Sequence, residues 1–395
     1  MKITTLLLIL TVSPFLIFSC NAQSKRETAK PAANGVVGGP FENGEFFYIG
    51  MPDTINSVDT SAGWHQQGQR LLITGTIFKP DGRTPAPDVI LYYYHTNIQG
   101  LYANKKGLDS RVVRHGYIRG WVKSDTNGHY SIYTVRPAPY PGRNFEAHIH
   151  PAIKEPGIDK EYYIDEFVFD DDPLLTSEKR KRLENRGGSG ILRVFKKDGM
   201  HIAEHDIILG LNIPNYPERK ITEEGSGKKI GEDQPSFMPY HAYGPDKGSR
   251  ACPVCKYGRY HGILYFVGNN PDWKDIREWL VFLEEQTVKR GKFLKVYFVY
   301  GNSRDYQPDK RQKELEAIGR TLQLKNTAIT FVPSFTDTKT EIYLSKINPD
   351  VKNTLVIYRN RTIIGRYINL KATAINFRTI ENHLDTQKGN FFFLE

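Results

Sequence analysis

Three short runs stand in one stretch of this chain: GLYAN at 100–104, PAPYPGR at 137–143 and EAHIHP at 146–151. The last holds His148 and His150, two positions apart. Alternate residues of a strand point to one face, so both imidazoles can reach a common point. Upstream, Tyr102 and Tyr140 sit in the other two runs and offer two phenols.

Around this stretch, short apolar runs alternate with turn signals. Residues 71–78 (LLITGTIF) read as a strand closed by Lys79-Pro80-Asp81-Gly82. Further strands are expected at 89–95, 117–124 and 130–135, the last two joined over the hairpin signal Asp125-Thr126-Asn127-Gly128. Others are expected at 147–153 and 162–169, with 191–195 pairing 202–209 across Lys197-Asp198-Gly199. Residues 175–185 are charged and predict a surface helix. Short strands separated by such turns read as an all-β sandwich over 39–214.

After Pro214 the composition shifts. Residues 215–250 are rich in Gly, Pro, Glu and Lys without periodicity, and predict a linker. Over 251–390, strands at 263–267, 293–300, 329–332, 354–358 and 362–367 alternate with helices at 273–289, 310–322, 341–347 and 374–384. That order, βαβαβαββα, resembles the thioredoxin fold.

At 395 residues the chain is long enough for two domains. The net charge of +10 admits a nucleic-acid partner. However, the basic run 179–182 is short and lies near the acidic run 170–172, so a solvated, salt-laced surface is expected and no nucleic acid. At the N-terminus, Lys2 precedes a largely apolar run over 6–18, the length of a signal-peptide core and too short to span a membrane as a helix. Its end, Leu16-Ile17-Phe18-Ser19-Cys20, resembles a bacterial lipobox. The implied organisation is a lipoprotein-type signal at 1–20 with lipidation at Cys20, then a flexible tether at 21–38. That makes an exported protein, periplasmic or on the outer membrane of a Gram-negative-type bacterium and anchored by lipid. An ordinary cleaved signal with an incidental cysteine is the alternative.

Tyr102, Tyr140, His148 and His150 together offer two phenolates and two imidazoles. Phenolate is a hard anionic donor and imidazole suits iron. Two phenolates would neutralise much of a trivalent charge, which favours Fe(III) over Zn(II) or Fe(II). Metal binding would also deprotonate the phenols below their free pKa of about 10. From spacing alone, two hydrogen-bonded or solvent-facing histidines are the commoner reading, and two tyrosines among 23 mean little.

Flanking residues add weight. From 39 to 216 the chain resembles the intradiol ring-cleavage dioxygenases, on TGTIF, PDGRTPAPDVILYYYHTNIQGLY, RGWVKSDTNGHYSIYTVRPAPYP and AHIH taken in order. The resemblance implies a non-haem Fe(III) enzyme with Tyr102, Tyr140, His148 and His150 as ligands. Catechol-type substrate would displace Tyr140, which takes up a substrate proton, and O2 would open the ring between the two hydroxyl-bearing carbons. Tyr94, His95 and Arg143 fall where pocket residues are implied. Two positions depart from the pattern: Phe145 stands where the family usually has Arg, and Asp165 or Glu166 where it commonly has Gln. The same site holding iron or a catechol-bearing ligand without turnover is therefore the alternative.

Cys252-Pro253-Val254-Cys255 suggests thiol chemistry. In the thioredoxin fold such a pair follows the first core strand and opens a helix. Here it precedes the strand expected at 263–267, with a following segment too short for a good helix. The position after that strand reads Gly268-Asn269-Asn270-Pro271-Asp272, and Asn353 occupies the place of the usual proline. A disulfide, redox exchange, or metal capture with His241 or His261 are the three readings.

Overall fold

The computed structural model describes residues 35–41, 44–217 and 225–393. The signal-like segment, Cys20 and most of the tether lie outside them. Among the described residues no helix is long and apolar enough to cross a membrane.

Two sheets face each other in the first unit. One carries, in spatial order, Val58–Thr60, His129–Val135, Arg70–Phe78, Met200–Glu204 and Phe195–Lys197, with Ile207–Ile208 beside the end of Arg70–Phe78. The other carries Arg119–Lys123, Ile90–His95, His148–Lys154, Phe167–Phe169 and Ile191–Leu192, with Tyr162–Tyr163 beside His148–Lys154. Both sheets are mixed, since Met200–Glu204 runs parallel to Arg70–Phe78 and Ile191–Leu192 parallel to Phe167–Phe169. Between them lies a fully buried core that includes Leu71, Ile73, Leu91, Tyr93, Ile132, Ile149 and Ile153.

Alternation in YYY and HIH decides which side chains leave that core. Leu91, Tyr93 and Ile149 point inward, while Tyr92, Tyr94 and Ala152 form a separate cluster on the outer face with Phe47. The N-terminal turn Gly44–Phe47 covers this face. Trp121 Nε1 donates to Phe47 O at 2.7 Å, and Arg119 Nη2 to Phe46 O at 3.1 Å. The outer face of the second sheet is thereby a second, roofed interior.

Three expected elements differ in detail. The strand expected at 162–169 breaks into Tyr162–Tyr163 and Phe167–Phe169. Between them Asp165 leaves the ladder, its N–H donating to Arg186 O at 3.0 Å and its Oδ2 accepting Asn185 N at 2.8 Å. Of 191–209 only the middle forms a hairpin, Phe195–Lys197 with Met200–Glu204, while Ile207–Ile208 pairs with Ile77–Phe78. Ile191–Leu192 instead joins the opposite sheet, so the chain crosses between sheets at Arg193. The surface helix is shorter, Ser177–Lys181, capped by Thr176 Oγ1.

The C-terminal unit is α/β. Its sheet runs Tyr240–Tyr243, Thr327–Phe331, Leu294–Tyr300, His261–Val267, Thr354–Arg359 and Thr362–Ile368. Helices Trp273–Arg290, Pro308–Thr321 and Ala374–Thr386 are its three long helices. Trp279, Leu280 and Leu283 of the first pack on Ile263, Tyr265 and Phe298. The opposite face is filled by Phe237, Val254, Phe335 and Ile342. The segment expected as a linker therefore contributes an edge strand and a core phenylalanine. It also ties the units together, since Ser189 N–H donates to Gly231 O at 2.8 Å and Gly231 N–H to Ile363 O at 2.7 Å.

Candidate metal centre

His148 and His150 project from the outer face of their strand, at 8% and 6% exposure. Tyr94 lies opposite His150 across the ladder and stacks on its ring at 4.6 Å. The two tyrosines arrive on loops that the sequence stitches together. Thr96 Oγ1 donates to Ala138 O at 2.8 Å, and Ala138 N–H donates to Asn97 O at 3.2 Å. Asn97 Oδ1 accepts from Gln99 N and Leu101 N, each at 3.0 Å, closing the turn before Tyr102. Gly100 is required there: its φ is +75°, and a Cβ would meet Pro139 O at 2.0 Å. The same backbone approach brings Tyr102 and Tyr140 to one point.

Tyr102 Oη is 2.6 Å from Tyr140 Oη and 2.7 Å from His150 Nε2, and Tyr140 Oη is 3.0 Å from His148 Nε2. The four donor atoms predicted from the sequence thus converge. The outer ring nitrogens are held from behind. His148 Nδ1 lies 2.7 Å from Glu146 O, and His150 Nδ1 lies 3.2 Å from Glu166 Oε1. Both partners are acceptors only, so each Nδ1 carries a proton, and each Nε2 faces a phenolic oxygen.

The donor set tests the fit to a cation: two phenolic oxygens and two imidazole nitrogens meet at one point, with contacts of 2.6, 2.7 and 3.0 Å, and such hard oxygen and imidazole donors with a carboxylate behind one ring suit a ferric ion. Burial first, and Tyr102's neighbour Tyr140 next, hold the Tyr102 phenol well above its ordinary pKa. Burial first and His150 next push His148 down. His148, His150 and Glu166 also form the cluster of metal-ligating side chains found among the described residues.

The remaining predicted residues separate. Tyr94 is at the site, sandwiched between His150 and His115, the latter stacked at 3.7 Å. His95 points the other way, with Nδ1 2.7 Å from Thr96 O and Nε2 2.8 Å from Thr134 Oγ1, so both ring nitrogens are engaged in the sandwich core. Arg143 is exposed on the loop after Tyr140. Phe145 is also turned outward, 46% exposed, with Lys179 Nζ 5.9 Å above its ring. Of the two acidic residues considered, Glu166 stands behind the site, while Asp165 caps the backbone at Asn185.

Two residues were not foreseen. His115 backs Tyr94 and lies 2.7 Å from Tyr92 Oη through Nδ1, and burial first, then Arg119, push it down to about 3. Lys179 Nζ donates to Glu146 Oε2 at 2.7 Å and Asn144 O at 2.9 Å, pinning the loop that leads into His148. Neither sits in a pattern of spacing that would mark it.

In the C-terminal unit, Cys252 and Cys255 are joined as a disulfide. Contrary to expectation, the pair opens a short helix, Pro253–Tyr257, with Cys252 as its N-cap. His241 and His261 are engaged elsewhere: their Nε2 atoms lie 2.9 Å from Ala251 O and 3.0 Å from Gln387 O.

The model of the Dioxygenase family matches residues 44–183. Catechol 1,2-dioxygenase of Acinetobacter baylyi is 29% identical over 98 residues, 25% of this chain and 30% of that protein, so the match spans under a third of the relative's length. Among solved structures, the dioxygenase domain of a carbohydrate-binding fusion from Streptomyces sp. SirexAA-E is 21% identical, covering 40% of this chain and 90% of that one, with a TM-score of 0.30. Hydroxyquinol 1,2-dioxygenase from Pseudomonas putida DLL-E4 is 22% identical, covering 46% and 67%, with a TM-score of 0.32. Residues 44–183 are a dioxygenase-family domain of the intradiol type.

Proposed function

We propose that the first unit is a non-haem iron dioxygenase that opens a catechol-type aromatic ring between its two hydroxyl-bearing carbons with O2. Tyr102, Tyr140, His148 and His150 would hold Fe(3+). The observation that carries this is the convergence of two phenolic oxygens and two imidazole Nε2 atoms within hydrogen-bond distance of one another. When bound, the ferric ion would supply the Lewis acidity that acidifies the catechol and makes its ring reactive toward O2.

The chain's own residues do the rest. Glu166 and Glu146 O fix the two imidazole tautomers. Tyr94 stacks on His150 and is itself backed by His115, which braces the His150 ring from that face. Tyr140 has Tyr102 Oη and His148 Nε2 as neighbours. Its oxygen is the base placed to take a proton from a substrate hydroxyl, returning to the phenol form. The turn Gly44–Phe47 roofs the outer face of the sheet beside the site, with Phe47 on Tyr92 and Phe46 on His115.

A second reading, binding of iron or a catechol-bearing ligand without turnover, is favoured by the outward Phe145 and exposed Arg143. One sample separates the two. Purified protein loaded with iron should turn burgundy from phenolate-to-iron charge transfer, with the band altered in Tyr140→Phe, and should consume O2 with catechols. Colour without oxygen uptake favours binding; a colourless loaded protein sinks the first reading and the iron half of the second.

The C-terminal unit is read as thioredoxin-like. Its parallel strands His261–Val267 and Leu294–Tyr300 flank a connecting helix, followed by an antiparallel hairpin and closing helix, which supports that reading. Export and anchoring through Cys20 complete the proposal. Metabolic labelling with a fatty acid, lost in Cys20→Ala, tests them.

A further inference from the structure

The CPVC pair presents two sulfurs that are not equivalent. Cys252 is half-buried beside the apolar cluster of Val254, Leu264 and Tyr358, and its Sγ accepts the backbone N–H of Cys255 at 3.1 Å. Cys255 is exposed. Its Sγ lies 3.2 Å from Ser236 Oγ, and that oxygen accepts a hydrogen bond from Arg361 Nη2 at 2.8 Å. With the guanidinium on its lone pair, the Ser236 hydroxyl directs its proton at sulfur. Each sulfur therefore has its own donor, and only one faces solvent.

The donors are held by the fold. Asn360 and Arg361, at φ of 52° and 65°, form the two-residue turn between Thr354–Arg359 and Thr362–Ile368. Arg361 N–H donates to Gly258 O at 2.9 Å, just past the CPVC helix, and Arg361 O accepts Gln234 N at 2.8 Å. The hairpin tip thus joins the cysteine helix to the segment carrying Ser236. Bracing is a weak account of this disulfide, because a cross-link over so short a loop removes little chain entropy. The sulfur environment is a better guide.

We infer that Cys252–Cys255 is a thiol–disulfide exchange site, reduced by a dithiol, in which Cys255 is the sulfur attacked and Cys252 the sulfur that leaves. A donor thiolate attacks Cys255 Sγ from solvent. The donor–Cys255 bond forms as the Cys252–Cys255 bond breaks, and Cys252 departs as a thiolate held by the Cys255 N–H before taking a proton. The donor's second thiolate then attacks its own bridged sulfur and expels Cys255 as a thiolate, stabilised by the Ser236 hydroxyl, which is protonated in turn. Two electrons and two protons pass to the pair, and the donor leaves as a disulfide. This site stands independently of the iron reading.

The test uses the full chain with Cys20→Ser, so that every thiol counted belongs to the pair. In graded mixtures of reduced and oxidised glutathione, maleimide labelling should show the pair passing from oxidised to reduced. Cys252→Ser, which leaves the exposed sulfur, should form a mixed disulfide with an aromatic disulfide at least about tenfold faster than Cys255→Ser. Ser236→Ala, with both cysteines present, should slow the reduced protein's reaction at neutral pH while its melting temperature holds. A pair that stays oxidised in excess reduced glutathione overturns the proposal. So does Cys255→Ser reacting as fast as Cys252→Ser, and an unaltered rate in Ser236→Ala removes the assigned role of that hydroxyl.

Discussion

Glu166 Oε1 stands 3.2 Å from Nδ1 of His150, on the side of the ring away from the two tyrosines. A carboxylate in that place fixes the tautomer and strengthens Nε2 as a donor. Glu166→Leu should weaken iron binding about 10- to 100-fold, in line with the loss of such a partner. Glu166→Gln keeps an oxygen acceptor and should stay much closer to the parent. Iron titration followed by the charge-transfer band measures both. Equal affinity in all three proteins would mean that the contact orients nothing.

The reach of the sequence follows from where this partner sits. His148 and His150 were readable because strand alternation alone puts them on one face. Tyr102 and Tyr140 became readable through their flanking runs, and the reason is now visible: Gly100 and Pro139 touch. Glu166 was half-readable, since nothing local says that the strand breaks at Asp165 and turns Glu166 rather than Asp165 toward His150. His115 and Lys179 come from a short helical turn and a surface helix, and meet the site only through the tertiary fold. His95 shows the converse. It follows Tyr94 directly, and strand geometry therefore sends it into the opposite layer.

Lys179 offers a test of how the loop into His148 is held. Its ammonium neutralises Glu146, which is buried, and also binds Asn144 O. Lys179→Met would leave the Glu146 carboxylate without its charge partner, at a cost of about 1–2 kcal/mol after allowing for partial exposure of the lysine. Adding Glu146→Gln should recover most of it, because the uncompensated charge is then gone. Thermal melts of the single and double variants decide this; a double variant as weak as Lys179→Met would place the loss elsewhere.

Acid should destabilise the first unit through histidines that the fold keeps neutral. Burial lowers His95 from 6.5 to about 4 and His205 from 6.5 to about 4. The unfolded chain binds these protons near pH 6.5 while the folded chain resists them until about pH 4, so stability is full above pH 6.5 and falls as pH drops through that window. Each ring contributes at most roughly 3 kcal/mol of the loss. Melting temperatures taken between pH 7.5 and 4.5 should fall steadily, and less steeply in His205→Gln. A flat profile over that range would rule the mechanism out.

Arg193 lies where the chain crosses between sheets, and it faces the second unit. Its Nη2 donates to Asp233 Oδ1 at 2.6 Å and its Nη1 to Asn360 O at 3.0 Å, in the segment and hairpin that close the C-terminal sheet. The guanidinium is almost fully buried, so water cannot replace it there. Arg193→Met preserves the stem but strands a carboxylate and a carbonyl, a loss of about 2–3 kcal/mol concentrated at the junction. Unfolding followed by calorimetry should then separate into two transitions, where the parent shows a single one. Adding Asp233→Asn should draw the transitions back together. If Arg193→Met melts as one unit at the parent's temperature, the coupling between the two units must reside in other contacts.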